Sequence, residues 1–213
     1  MPGHRGPGLH ARLFGPQLRV PGALCAAHHR ERWPVAEPPG CGHPAAVRDL
    51  LQQAAASMGI RNGVVKGDIV VTDGQPHVIE LAARLSGGYF CTHEIPLNTG
   101  VDLVGAAIRQ ALGERVDPAE LTPKWNRPVA QRYLFPSPGV VRSVEVGERF
   151  ADHPDVAYLE IRAKPGDRIG PVDSHPARAG VVITTGDTRE AAVALAEKVV
   201  DSVVIETSGN SPI

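Results

Sequence analysis

Aromatic side chains make up only 4% of the 213 residues, so any core has to be built from Val, Leu, Ile and Ala. Cysteine is scarce as well. Cys25, Cys41 and Cys91 are scattered and odd in number, which excludes a disulfide framework of paired bridges. Neither sign of charge is in surplus, with 22 basic against 23 acidic residues. Phosphate-backbone binding needs a basic excess, so nucleic acid is not expected as a partner. No apolar run approaches the roughly 18 residues that cross a bilayer, and the N-terminus lacks the apolar stretch of a signal peptide. The expectation is a cytoplasmic protein without membrane contact. What remains, 42% apolar and 21% charged, is ordinary globular composition for one domain or two small ones.

The averages conceal an uneven chain. Residues 1–44 hold eight of the 20 prolines, seven of the 23 glycines and five of the nine histidines, with five arginines against Glu31 and Glu37. Such a stretch, without a periodic apolar face, cannot bury enough surface to offset its ordering entropy. The sequence predicts an irregular head over 1–44 with few contacts to the rest, and a misplaced start is one way such a head arises.

Order is expected from Pro44, where Val47, Leu50, Leu51, Ala54 and Met58 recur at helical spacing and Gly59 suits the C-terminal cap. Two β-branched runs, Val64–Val71 and His77–Leu81, flank Thr72-Asp73-Gly74 and predict a hairpin. A Gly-rich segment, Arg84-Leu85-Ser86-Gly87-Gly88-Tyr89, follows. A helix is predicted over about 100–112, with Val101, Val104, Ile108 and Ala111 on one face and Thr99 and Asp102 as its capping box. Residues 114–127 read as a linker closing a unit of 45–113. A second unit, 128–206, should hold strands near Val129–Phe135, Val140–Val146, Val156–Ala163 and Gly180–Thr185. A final helix capped by Asp187 and Glu190 would bury Ala192, Val193, Ala196, Val199, Val200 and Val203, leaving 207–213 as a tail. The fold class is α+β, an antiparallel sheet with flanking helices plus a small α+β C-terminal subdomain.

The chemistry, if any, sits in the hairpin. Asp68 and Glu80 lie twelve residues apart on strands that should pair, and turn parity decides whether they share a face. A two-residue loop, Asp73-Gly74, would pair Asp68 with Ile79 and send Glu80 to the opposite face. A three-residue loop pairs Asp68 with Val78 and leaves Glu80 one diagonal step away on the same face. Carboxylates so placed repel unless a cation joins them, and Mg²⁺ or Mn²⁺ suits such oxygen ligands. Arg84 adds a planar cation able to hold a phosphate or acyl phosphate, and Ser86, Gly87 and Gly88 let backbone approach a ligand closely. The alternative is a solvated hairpin face with ordinary surface charges, in which Lys66 simply neutralises Asp68.

The stretch Gly63-Val64-Val65-Lys66-Gly67-Asp68, with Val78-Ile79-Glu80-Leu81-Ala82-Ala83-Arg84-Leu85-Ser86-Gly87-Gly88, resembles the metal-binding hairpin of ATP-grasp enzymes. Tyr89-Phe90-Cys91-Thr92-His93-Glu94-Ile95-Pro96-Leu97 and the segment from Gly180 to about 205 narrow the resemblance to the carboxylate–amine ligase branch, which includes L-amino acid ligases. It covers about residues 45–206. It implies ATP as substrate, two divalent ions (Mg²⁺ or Mn²⁺) on Asp68 and Glu80, and Arg84 near the transferred phosphoryl group, with Ser86, Gly87 and Gly88 against the nucleotide. It also implies a small carboxylate and an amine joined through an acyl phosphate. The family pattern has Asn two residues after the second acid; here that position is Ala82, which puts one metal ligand in doubt. The family's N-terminal domain and the clamp half bearing the Gly-rich loop and phosphate-binding lysines have no counterpart before Pro44. The chain has four lysines, Lys66, Lys124, Lys164 and Lys198. The expectation is therefore a C-terminal portion of such a ligase. The competing expectation is a non-catalytic remnant or a binding module needing a complementing chain or a second copy.

Three weaker features complete the reading. Cys25, His28, His29, Cys41 and His43 can be drawn as a zinc site, but their irregular spacing and the lack of Cys-x-x-Cys argue against it. His93-Glu94 either faces a substrate or is a surface pair at a helix end. Cys91 has no identifiable activating base nearby in sequence.

Overall fold

The computed structural model describes residues 25–26, 44–73, 75–147, 150 and 152–208. The chain divides into two compact units at Arg84/Leu85, ahead of the 114–127 segment where composition placed a boundary. Among the described residues, no helix is long and apolar enough to cross a membrane.

The first unit carries β1 (Cys25–Ala26), α1 (Pro44–Ser57), β2 (Val64–Thr72) and β3 (Gln75–Ala82), with strand order β1-β2-β3 and antiparallel pairing throughout. Cys25 pairs with Val65 and Ala26 with Val64, so the Pro/Gly-rich head contributes a short strand where none was expected. The rest of that head lies outside the described residues, as do the side chains drawn above as a zinc site. In α1 the buried stripe is Val47, Leu51 and Ala55. It is rotated from the expected one, because Met58 lies beyond the helix end and is 59% exposed. Gly59 terminates the helix at φ 72°, donating its N–H to Ala56 O at 3.0 Å. Gly67 is required on β2 for another reason: a Cβ there would stand 2.6 Å from Leu51 Cδ2, so the bare backbone lets the helix seat on the strand.

The second unit opens with a π-helical turn (Phe90–Glu94), then α2 (Ile95–Thr99) and α3 (Leu103–Ala111). The helix predicted over about 100–112 is α3, which starts at Leu103, while α2 is a separate short helix before it that ends at Gly100 (φ 73°). Asp102 alone caps α3, accepting from Gly105 N, whereas Thr99 belongs to α2 and donates to Ile95 O. The buried residues there are Val101, Leu103 and Ala106, while Ile108 points to solvent. Residues 114–127 form a tied-down segment. A 3₁₀ turn (Pro118–Leu121) is closed by an Asp117–Glu120 capping box, Val116 and Leu121 are buried, and Lys124 N and Arg127 N bond Thr99 O and Asn98 O. Trp125 lies over Gly100 and donates to Leu97 O.

Six strands follow: β4 (Val129–Leu134), β5 (Gly139–Val146), β6 (Val156–Ile161), β7 (Arg168–Ile169), β8 (Gly180–Thr185) and β9 (Val203–Ser208). They form two antiparallel sheets, β4-β8-β6 and β7-β5-β9. Helix α4 (Arg189–Ser202) packs on the first sheet, burying Ala192, Ala196 and Val199. Its cap is Thr188, which accepts from Ala191 N at 3.1 Å, in place of the expected Asp187 and Glu190. Val203 leaves the helix to begin β9, a strand the periodicity did not reveal because Val199, Val200, Val203 and Val204 fit either pattern. The central strand β8 is buried along its whole length, and Thr184 donates to Ala192 O at 2.7 Å, tying it to α4.

Candidate functional site

The β2–β3 hairpin resolves the parity question in a way neither simple loop would. Thr72 pairs with Gln75 and Ile69 with Val78, the register of a two-residue turn, which carried on regularly would set Asp68 opposite Ile79. A bulge intervenes. Ile79 drops out of the ladder, 69% exposed, and Asp68 comes to pair with Glu80 directly. The extra residue returns Glu80 to the face of Asp68.

Lys66, two residues before Asp68 on the same face, lies between the two acids. Its Nζ is 2.6 Å from Asp68 Oδ2 and 3.5 Å from Glu80 Oε1. The lysine side chain is largely buried while both carboxylates are about half exposed. One cation therefore serves both acids, and the hard oxygen donors fit a divalent ion equally well. Ala82 offers no side-chain ligand, and among the described residues no group of three or more acids, histidines or cysteines surrounds a common point. Two carboxylates alone leave most of an octahedral shell to water and to phosphate oxygens, the usual state of protein-bound Mg²⁺. Arg84 follows β3, its N–H bonded to Ala82 O at 3.0 Å.

Ser86, Gly87 and Gly88 belong to the second unit, where they line a cleft of about 430 Å³. Gly88 and Tyr89 both adopt left-handed backbone, φ 65° and 70°, and the chain then enters the π-helical turn. Such turns and a non-glycine residue in that region recur at binding sites. Gln131 on β4 donates from Nε2 to Gly88 O at 2.9 Å and so fixes the strained turn. Ser86 N donates to Cys91 Sγ at 3.1 Å; Cys91 is 2% exposed, and burial pushes its thiol upward, so it is a packing residue.

Three features here were invisible in sequence. The Tyr89 hydroxyl donates to Glu160 and accepts from Arg162 Nη2 at 2.5 Å, while Arg162 Nε bonds Glu160 at 3.1 Å. The bond to Glu160 holds the phenol above its ordinary value, and the same bond holds the Glu160 carboxyl below its own. His93 packs edge-on against Tyr89 and tilted against Tyr158, with ring centroids 5.3 and 4.5 Å away, in place of the surface pair that was one expectation. Its neighbour Glu94 is pushed up to about 7 by burial. Arg178 lies over the Tyr133 ring at 3.8 Å. The partners in these contacts are separated by up to 73 positions, so no local spacing announces them.

The acid-bearing antiparallel hairpin lies in one unit and the Gly-rich cleft and antiparallel sheets in the other, and the fold is that of ATP-grasp proteins. The chain superposes on phosphoribosylglycinamide synthetase from Anaerococcus prevotii with TM-score 0.67 and 16% identity, covering 76% of this chain and 41% of that one. On the L-amino acid ligase from Bacillus licheniformis the values are 0.66 and 20%, over 92% and 46%. Residues 132–208 match the family model of L-amino acid ligase C-terminal domain 2. An uncharacterized protein, y4rH, of Sinorhizobium fredii (strain NBRC 101917 / NGR234) is 26% identical over 156 residues, 73% of this chain and 32% of that protein. The chain thus spans about a third of the curated relative and less than half of these two solved structures.

Proposed function

We propose that the chain supplies the metal-bearing wall and the C-terminal subdomain of an ATP-dependent carboxylate–amine ligase. The observation that carries this reading is the bulge at Ile79, which sets Asp68 directly opposite Glu80 on an exposed face of a hairpin of ATP-grasp type. A bulge that re-aims an acid toward a second acid is costly for a merely structural strand, since it breaks the ladder and concentrates like charge.

In this reading Asp68 and Glu80 would hold Mg²⁺ or Mn²⁺, which when bound neutralises charge on the ATP phosphates. Arg84 would hold an oxygen of the transferred phosphoryl group, and Ser86, Gly87 and Gly88 would let backbone approach the nucleotide. Catalysis of this type is mainly positioning and charge stabilisation, and the whole enzyme would join a small carboxylate to an amine. Lys66 would give up its double contact when the ion arrives.

Isothermal titration of the full chain with ATP–Mg²⁺ tests the reading. Binding with a dissociation constant of about 100 μM or weaker is expected, because the lysine-bearing half of the clamp has no match in this sequence. Asp68→Asn and Glu80→Gln should each abolish it, and a phosphate-release assay with mixed amino acids should show no turnover. ATP binding indifferent to Mg²⁺ and to both substitutions would overturn the metal assignment. Amine-dependent phosphate release lost in Glu80→Gln would instead make the chain a ligase in its own right.

A further inference from the structure

The chain has four asparagines, Asn62, Asn98, Asn126 and Asn210, and the last lies outside the described residues. Asn98 is tied down. Its Nδ2 donates to Arg127 O at 2.6 Å and to Asn126 Oδ1 at 3.2 Å, and the residue after it, Thr99, is buried. Asn126 accepts one of those bonds, and the N–H of the next residue, Arg127, is spent on Asn98 O at 2.9 Å. Asn62 sits in a different setting. It is exposed, in the irregular loop between α1 and β2, and Gly63 follows it. Among the described residues the Gly63 N–H has no acceptor. Gly63 holds φ 117°, and a Cβ added to it would meet nothing within 4 Å. No side chain therefore screens its backbone nitrogen, and the dihedral freedom there is glycine's own.

We propose that Asn62 is a site of spontaneous covalent modification, deamidation through a cyclic imide. The Gly63 nitrogen gives its proton to water and attacks Asn62 Cγ, so that an N–Cγ bond closes the ring. The Cγ–Nδ2 bond then breaks and ammonia leaves. Water reopens the imide at either carbonyl. Hydrolysis at Cγ gives aspartate with the main chain as before. Hydrolysis at the main-chain carbonyl gives isoaspartate, in which the chain runs through Cγ and is lengthened. Either product puts a carboxylate where a neutral amide stood. The β2 ladder begins at Val64, paired with Ala26, so the change falls just ahead of it and leaves the Asp68–Glu80 register alone. The inference is independent of the nucleotide reading, since it needs neither ATP nor a metal ion.

The test incubates the full folded chain in heavy-oxygen water, in mildly alkaline and mildly acidic buffer, and maps its peptides by mass. The peptide holding Asn62 should lose its amide, take up the oxygen label and split into aspartyl and isoaspartyl forms. The alkaline sample should react faster, because the attacking nitrogen must shed its proton. Asn98 and Asn126 should react at least about tenfold more slowly, since their neighbouring nitrogens are held away from attack. Hydroxylamine added to the folded chain should trap the imide and cut between Asn62 and Gly63. Asn62→Gln, whose longer side chain closes the ring poorly, should abolish the cut. Retention of the Asn62 amide in the folded chain while the urea-unfolded chain loses it would overturn the proposal. So would equal rates at Asn98 or Asn126, or aspartate formed with neither isoaspartate nor a hydroxylamine cut. Labelling and cutting are read on the unaltered sequence, so the conclusion stands even if Asn62→Gln fails to fold.

Discussion

The β2–β3 hairpin and the β4-β8-β6 sheet use the same β-branched alphabet and spend it oppositely. Strand β8 is buried at all six positions, with Val182, Ile183 and Thr184 fully enclosed. The hairpin hides Val65 and Gly67 on one face and leaves Asp68, Val70 and Glu80 on the other. A strand enclosed on both faces has no room for charge, because an unpaired charge there is prohibitively costly. A strand with one open face can carry charge at little cost to stability. The hairpin is therefore where an acid pair can be kept for binding, and β8 is where stability resides.

The sharpest way to break this contrast is Ile183→Ala. It should lower stability by about 4 kcal/mol, through lost transfer energy and the cavity left behind, read by urea unfolding. Next comes the hairpin's own inner face. Gly67→Ala drives a methyl into Leu51 and should cost about 2 kcal/mol, showing that the hairpin is permissive on one side only. Glu94→Gln is a smaller and pH-dependent case. The folded carboxyl titrates near 7 against an ordinary value of 4.5, so the folded chain keeps a proton that the unfolded chain has released. Stability should fall as pH rises through that window. The glutamine variant, unable to ionise, should match wild type at pH 4 and exceed it by about 1–2 kcal/mol at pH 8. Smallest of all, Asp68→Asn with Glu80→Gln should move stability by less than about 1 kcal/mol, since both carboxylates are half exposed and the amide oxygens that replace them still accept from the largely buried Lys66. The same double variant should remove Mn²⁺ binding measured by electron paramagnetic resonance. A large loss of stability there would erase the contrast.

Much of this arrangement was legible in the residues. The β-branched runs and the Asp-Gly turn located the hairpin, and Gly180–Thr185 was read to the residue, because strand propensity and turn chemistry are local. What failed was also physical. The α3 face was misassigned because the expected stripe was phased on Val101, which lies ahead of the Asp102 cap; the helix itself buries Leu103 and Ala106 and turns Ile108 outward. Thr188 outcompeted Asp187 as the α4 cap, a choice of one residue that sequence leaves open. The Tyr89–Glu160–Arg162 cluster and the Arg178–Tyr133 stack depend on which strands become neighbours, and nothing in local spacing encodes that.

The bulge at Ile79 has a consequence for how related hairpins can vary. A two-residue turn with one extra residue in the second strand reaches the same facing pair as a two-residue turn with none and a chain one residue shorter. Deleting Ile79 should thus straighten β3 and still leave the two acids opposite each other, whereas inserting one residue beside it should turn Glu80 away. Over generations, single-residue insertions and deletions in this hairpin would be survivable in compensating pairs, and the interval between the acids would drift while their meeting persisted. A search for relatives that fixed the interval at twelve would pass over such descendants; one that tracked the parity of the turn together with the number of bulges would find them.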